Sequence, residues 1–256
     1  VSKAIGAMPI VNRFISRLKL DQRIEEAVGG VLSGRGRKAE VAHGRVLCVA
    51  IRNLVVSRLP LYRFQDWVAG YVPQQLGLTL DESGLFYDDR VGRSLDWFYE
   101  VNRGSFVTSV VVDMVQEFHL DLSQIHCDTT SITFFGEYLS AAPGWESPFI
   151  ITHGPNKDHR EDLKQLVFSL CVTRDGAIPV QHQVFDGNTT DDNIHIETWN
   201  TLRSIVGHPN FIYVADCKVC NGPNLRHIAG NGGTFVTVMP ANRTEYTRFE
   251  EWIQTH

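Results

Sequence analysis

The chain has 256 residues, 43% of them hydrophobic and 21% charged, with a formal net charge of −5. This is enough ordinary globular sequence for one large or two modest cores. No run approaches the ~20 apolar residues of a membrane helix, residues 1–9 lack the apolar core of a signal peptide, and five scattered cysteines make no disulfide framework, so a reducing cytoplasm is the expected setting.

Charge is unevenly spread. Residues 1–60 hold eleven Lys and Arg against four Asp and Glu, a net +7, which leaves −12 for the remainder. A basic head on an acidic body fits a DNA-contacting module joined to a metal-dependent one; the plainer reading is a solvated helix surface.

In chain order, residues 8–28 read as a helix, with Ile10, Val11, Phe14, Ile15 and Leu18 at helical spacing and Gly29-Gly30 as its stop. A basic, glycine-containing loop with Arg35, Arg37 and Lys38 follows over 31–38. A second helix is expected over 40–58, stopped by Pro60, and a third over 61–69 with Phe64, Trp67 and Val68 inward. Three short helices with a basic surface resemble a helix-turn-helix arrangement. Asp88-Asp89 is a candidate cap for a helix to about 101. Ser105 is a candidate cap for another to about 118, although Val107, Val110, Val111 and Val112 leave a strand open there.

From residue 122 the pattern changes. Strands are expected over 124–135, 163–173, 178–185, 211–215 and 234–239. Helices are expected over 193–206 and 223–229, with a turn at Asp175-Gly176 and a polar loop over 136–160. The order is β-β-β-α-β-α-β. Asp128 and Asp216 each follow a short apolar, β-prone run, as reactive groups do at the carboxyl ends of strands. Two such carboxylates are suited to Mg²⁺, a hard ion that prefers oxygen, and to phosphoryl transfer. Capping of strand ends is the plainer role for both. Lys157, His159 and Arg160 lie in a dense charged cluster and are candidate phosphate contacts. Asp186, Asp191 and Asp192 read as a turn and helix cap, with a further metal ligand as the alternative. His126 falls on the same strand face as Asp128. Cys217 and Cys220 form a lone Cys-x-x-Cys, a weak sign of zinc or redox chemistry.

Several stretches together resemble the DDE-type transposases of bacterial insertion sequences, in the branch with a helical N-terminal domain. They are residues 5–14 (IGAMPIVNRF), 85–95 (LFYDDRVGRSL), 126–138 (HCDTTSITFFGEY), 154–165 (GPNKDHREDLKQ), 184–191 (VFDGNTTD) and 214–216 (VAD). The resemblance implies a helical DNA-binding or assembly domain over 1–120 and a ribonuclease H-like mixed-sheet domain over 121–256. The first Asp, Asp128, belongs on the first strand of that sheet, and the second, Asp216, on the fourth. It also implies Mg²⁺ (or Mn²⁺), double-stranded DNA as transposon ends and target, a homodimer, and a bacterial, nucleoid-associated setting.

Two departures accompany it. The family's Glu follows downstream in a pattern of Tyr, Arg, Glu and Lys separated by two, three and six residues. Here one residue separates Tyr246 from Arg248, and Glu250 and Glu251 lie too close to Arg248. These two acids read as surface residues of a terminal helix, and the chain as a C-terminally truncated transposase, inactive alone. Cys217 stands where relatives commonly carry Arg. The alternatives are a DNA-binding remnant that does not cut, or a nuclease of the same fold completed by Asp186 or Glu251.

Overall fold

The computed structural model describes residues 3–32, 39–138, 149–156, 160–190, 192 and 194–255. Within them the chain has an α+β architecture, an N-terminal helical region followed by a mixed five-stranded sheet. It divides into two compact units, Val1–Phe118 and His119–His256.

The first unit is built around α3 (His43–Val56), which buries Val46 and Val49 against one cluster of apolar side chains and Leu47 and Cys48 against another. The first cluster gathers Met8, Phe64, Trp67, Leu76, Phe86 and Val91; the second gathers Ile15, Ile24, Val28 and Val101. Residues 8–28, expected as one helix, form two, α1 (Met8–Arg17) and α2 (Leu20–Leu32). The break falls at Lys19, whose φ of 49° is incompatible with a continuing right-handed helix. Gly29 and Gly30 do not end α2; they lie within it. The break also redistributes the apolar set: Ile15 and Leu18 are buried, whereas Ile10 and Phe14 are exposed.

The stop after α3 has a buried cause besides Pro60. Asn53 donates from Nδ2 to the carbonyl of Leu59 (2.7 Å) and accepts from its amide (3.1 Å), which folds the chain back through Arg58 at φ 54°. Residues 61–63 form a single 3-10 turn before α4 (Phe64–Gly70). Helix α5 (Asp88–Tyr99) is capped at Tyr87 without a side-chain bond, so Asp88 and Asp89 sit in its first turn and act on the helix dipole instead. Helix α6 (Arg103–Phe118) forms where a strand was the alternative. Asn102 caps it, its Oδ1 accepting from the amide of Ser105 (3.1 Å).

Much of the basic head is engaged internally. Arg17 pairs with Glu117 (2.6 Å), Arg23 with Asp113 and Arg45 with Glu82 (2.5 Å). Arg52 is buried, its Nε donating to Asn12 Oδ1 (2.8 Å), and burial lowers its pKa. The net +7 therefore overstates the free surface cation.

In the second unit the sheet runs β3-β2-β1-β4-β5. Strand β1 (Gln124–Phe134) is antiparallel to β2 (Lys164–Thr173), which is antiparallel to β3 (Pro179–Phe185). On its other side β1 is parallel to β4 (Ile212–Val214), which is parallel to β5 (Thr234–Val236). Helix α7 (His195–Val206) links β3 to β4, α8 (Gly222–Gly230) links β4 to β5, and α9 (Thr244–Thr255) follows. This is the mixed sheet expected of a ribonuclease H-like fold. One face, with Ile125, Cys127, Val167, Cys171 and Tyr213, is buried. The Tyr213 hydroxyl lies 2.9 Å from His195 Nδ1, and Trp199 of α7 stacks on Phe211. The other face is open: Ile132, Ile212 and Val236 are 43%, 36% and 53% exposed.

The tightest packing of the first unit is at Gly44. Its amide donates to Glu25 Oε2 (2.7 Å), capping α3 from α2, and an added Cβ would lie 2.0 Å from the carbonyl oxygen of Asp21. Gly44→Ala is therefore expected to force α2 off α3 and to destabilise the protein by about 1–3 kcal/mol, read as a lowered midpoint in urea unfolding. An unchanged midpoint would show that this approach is not restrictive.

Candidate functional site

Asp128 and Asp216 each lie two residues beyond the short parallel ladder between β1 and β4. Gln124 pairs with Ile212, Ile125 with Tyr213 and His126 with Val214, a constant offset of 88 residues. The same 88 residues separate Asp128 from Asp216, both beyond the last ladder pair.

The placement corrects one expectation. Asp128 is not at a strand tip but well inside the eleven-residue β1. It lies two residues past His126, the last β1 residue paired with β4, where β1 pairs with β2 alone. Asp216 does stand just past the end of β4. Both residues are exposed. Asp216 Oδ1 accepts from the amide of Lys218 (3.0 Å) and so caps a 3-10 turn over 217–219, the plainer role expected of it; its Oδ2 has no hydrogen bond among the described residues. Asp128 Oδ1 accepts from the amide of Thr129 (2.7 Å). His126, on the same face as Asp128, has its Nε2 3.0 Å from Gln124 Nε2.

Beside Asp216 is a cavity of about 290 Å³ lined by Thr130, Asn156, Thr190, Asp192 and Lys218, among others. Asp128 does not line it, but Thr130 lies two residues further along β1. The cavity gathers hydroxyls, an amide, two carboxylates and an ammonium, a lining suited to a polar, phosphate-bearing ligand. Sequence reasoning missed Lys218 and Asn156. Lys218 was legible as a cation two residues from Asp216; Asn156 was hidden in a polar loop.

The loop reaches the cavity through Gln165, a fully buried polar side chain of β2. Its Nε2 donates to the carbonyls of Pro155 (2.9 Å) and Gly187 (2.8 Å), and its Oε1 accepts from Asn156 Nδ2 (2.9 Å). Two glycines permit this closeness. A Cβ at Gly187 would lie 2.0 Å from the Gln165 carbonyl oxygen, and one at Gly154 would lie 2.0 Å from that of Gly187. Asp186 is held nearby, its Oδ1 accepting from the amide of Ile150 (2.8 Å).

On the buried face, next to Asp128, Cys127 lies opposite Cys171. The neighbouring Cys171 thiol holds the pKa of Cys127 below its ordinary value, and that of Cys171 is pushed up by Cys127 and by burial. Cys217 is half-buried in the turn after Asp216 and Cys220 is buried. Arg160, the one described member of its proposed trio, forms a two-pronged pair with Asp162, both contacts 2.8 Å. Lys157, His159, Arg35, Arg37, Lys38 and Asp191 lie outside the described residues. Glu250 and Glu251 are exposed on α9, and neither lines the cavity. Among the described residues no group of three His, Cys, Asp or Glu side chains is placed to hold a metal.

Residues 1–112 match the family model described as a domain of unknown function (DUF4277). No curated protein matches the chain. Among solved structures it is similar to a piggyBac transposase synaptic complex with hairpin DNA, at 11% identity and a TM-score of 0.46, over 89% of this chain and 49% of that one. It is also similar to a Mos1 transposase paired-end complex with the left transposon end, at 9% identity and a TM-score of 0.30, over 87% and 74%. A Mos1 mariner paired-end complex with Mn gives 9% and 0.30 over 86% and 73%. The chain thus spans about half the length of the piggyBac chain.

Gln165→Ala would strand the carbonyls of Pro155 and Gly187 in the interior. A loss on the order of 3 kcal/mol is expected, together with faster proteolysis within 150–156. Limited proteolysis with mass spectrometry checks this; unaltered cleavage would show that Gln165 does not hold the loop.

Proposed function

We propose that the chain is a DNA transposase-type protein whose second unit binds a divalent cation through Asp128 and Asp216. The observation that carries this is the β1–β4 ladder, whose offset of 88 residues is also the separation of the two acids, each two residues beyond its last pair. The sequence resemblance, which assigns the first metal carboxylate to β1 and the second to β4, supports it independently.

The donor set fits the ion. Mg²⁺ is commonly held by one or two carboxylates, with water and substrate phosphates completing its shell. Asp128 and Asp216 are both exposed carboxylates, the ligand type that requirement names. Bound there, the ion would supply Lewis-acid activation of a water or DNA 3′-hydroxyl and stabilise the departing oxygen at a phosphodiester. The protein's part is positional. Asp216 is oriented by the turn it caps, and Lys218 and Asn156 line the space in which a phosphate would lie. In the full reaction such a protein cleaves DNA at transposon ends and transfers the strand into target DNA, as a homodimer that handles two ends together.

A second reading is favoured by the absence of a third acid beside the pair among the described residues. The polypeptide then binds DNA, alone or with an intact transposase, and cuts weakly or not at all. A nuclease completed by a local acid has less support: Asp186 is bonded to backbone and Glu251 does not line the cavity.

Mn²⁺ titration followed by electron paramagnetic resonance tests the cation site. Asp128→Asn and Asp216→Asn are each expected to weaken binding at least about tenfold, as loss of one of two charged ligands requires. Nicking of supercoiled plasmid with Mg²⁺ or Mn²⁺ is expected to be slight and to vanish in either variant. Equal Mn²⁺ affinity in the wild type and the double variant would end the proposal.

A further inference from the structure

The helical unit contains a cavity of about 630 Å³ that the acidic site does not explain. Its wall is one stripe of α5, Arg90, Arg93, Ser94 and Trp97, at the i, i+3, i+4, i+7 spacing that sets side chains on one face of a helix. His43, at the start of α3, faces it, and Tyr87 and Glu40 complete the rim. The Tyr87 hydroxyl accepts from Arg90 Nη2 (3.5 Å) and Arg93 Nη2 (3.2 Å). These two bonds, Arg90 first, lower the Tyr87 pKa. His43 Nδ1 lies 3.0 Å from Ser94 Oγ.

The charges do not balance. Glu40 is the one carboxylate among the lining residues, and it is taken by Arg90 (2.7 Å). Arg93 is exposed and bonds only a neutral carbonyl, that of Asp89, and the Tyr87 phenol; among the described residues it has no carboxylate partner. Arg90 Nε is a buried donor without an acceptor in the described structure, a condition costly enough to need an explanation. A guanidinium without an anion, a phenol and an imidazole together make a receptor for a tetrahedral oxyanion.

We propose that this cavity is a phosphodiester-binding site for DNA, with Arg93 as its principal contact and Arg90, His43 and Tyr87 as its second side. The proposal rests on the DNA-binding reading above and locates one contact of that reading in the helical unit. It concerns backbone phosphate, not bases, so it adds affinity without sequence preference.

The test uses the full chain and a labelled 30-base-pair duplex, with fluorescence anisotropy over a range of salt concentrations. Arg93→Gln is expected to weaken binding about threefold to tenfold and to reduce the log–log salt slope by about one, the loss of one phosphate contact. Arg58→Gln, an exposed cation outside the cavity, controls for bulk charge. Equal effects of the two substitutions, or none from Arg93→Gln, would overturn the site. If the wild type binds no DNA, the functional reading fails separately, and pyrophosphate titration followed by NMR decides the cavity. Shifts of the His43 and Arg93 side-chain resonances that disappear in Arg93→Gln support it, and their absence in the wild type overturns it.

Discussion

The organising constraint of the second unit is that β1 is paired on both sides, antiparallel to β2 over ten residues and parallel to β4 over three. A strand held by two ladders cannot slip, because a one-residue shift would send Ile125 and Cys127 into solvent and Asp128 into the core. The alternation that buries the apolar residues of β1 is therefore what fixes the carboxylate on the open face. The brevity of β4 matters as much. Ending at Val214, it releases Asp216 into a turn two residues beyond the last β1–β4 pair, the same separation that Asp128 has from that pair.

Around that pair the structure relies on a polar centre where an apolar one would be cheaper. Gln165 is wholly buried and spends its amide on two carbonyls and one asparagine. Buried amides are tolerated only when such bonds are made, and making them requires three backbone segments to meet within van der Waals limits that only glycine at 154 and 187 permits. The result is a loop with little choice of path, which delivers Pro155 and Asn156 to the cavity beside Asp216.

The helical unit solves a different problem. Helix α3 has apolar side chains on two sides and is enclosed by two clusters, so its polar residues must find partners inside: Arg52 takes Asn12, and Asn53 takes the backbone of Leu59. Several arginines that look like a free basic surface in sequence are consumed this way or by acids on α6. On α5, Arg90 is paired with Glu40, whereas the exposed Arg93 beside it has no carboxylate partner among the described residues.

Much of this was legible without coordinates. Period-two and helical patterns gave the order of strands and helices after residue 122, because each such element buries one face and its sequence must repeat with its geometry. The candidate carboxylates were legible too, as acids that follow β-prone runs. What sequence could not provide was anything set by contact between distant segments: the break at Lys19, the interior pairing of the arginines, the mid-strand position of Asp128, and the meeting of Gly154, Gly187 and Gln165. Local pattern reports which side of an element is apolar. Only the folded chain decides what stands against that side, since register, close approach and charge pairing depend on residues that the sequence does not place next to one another.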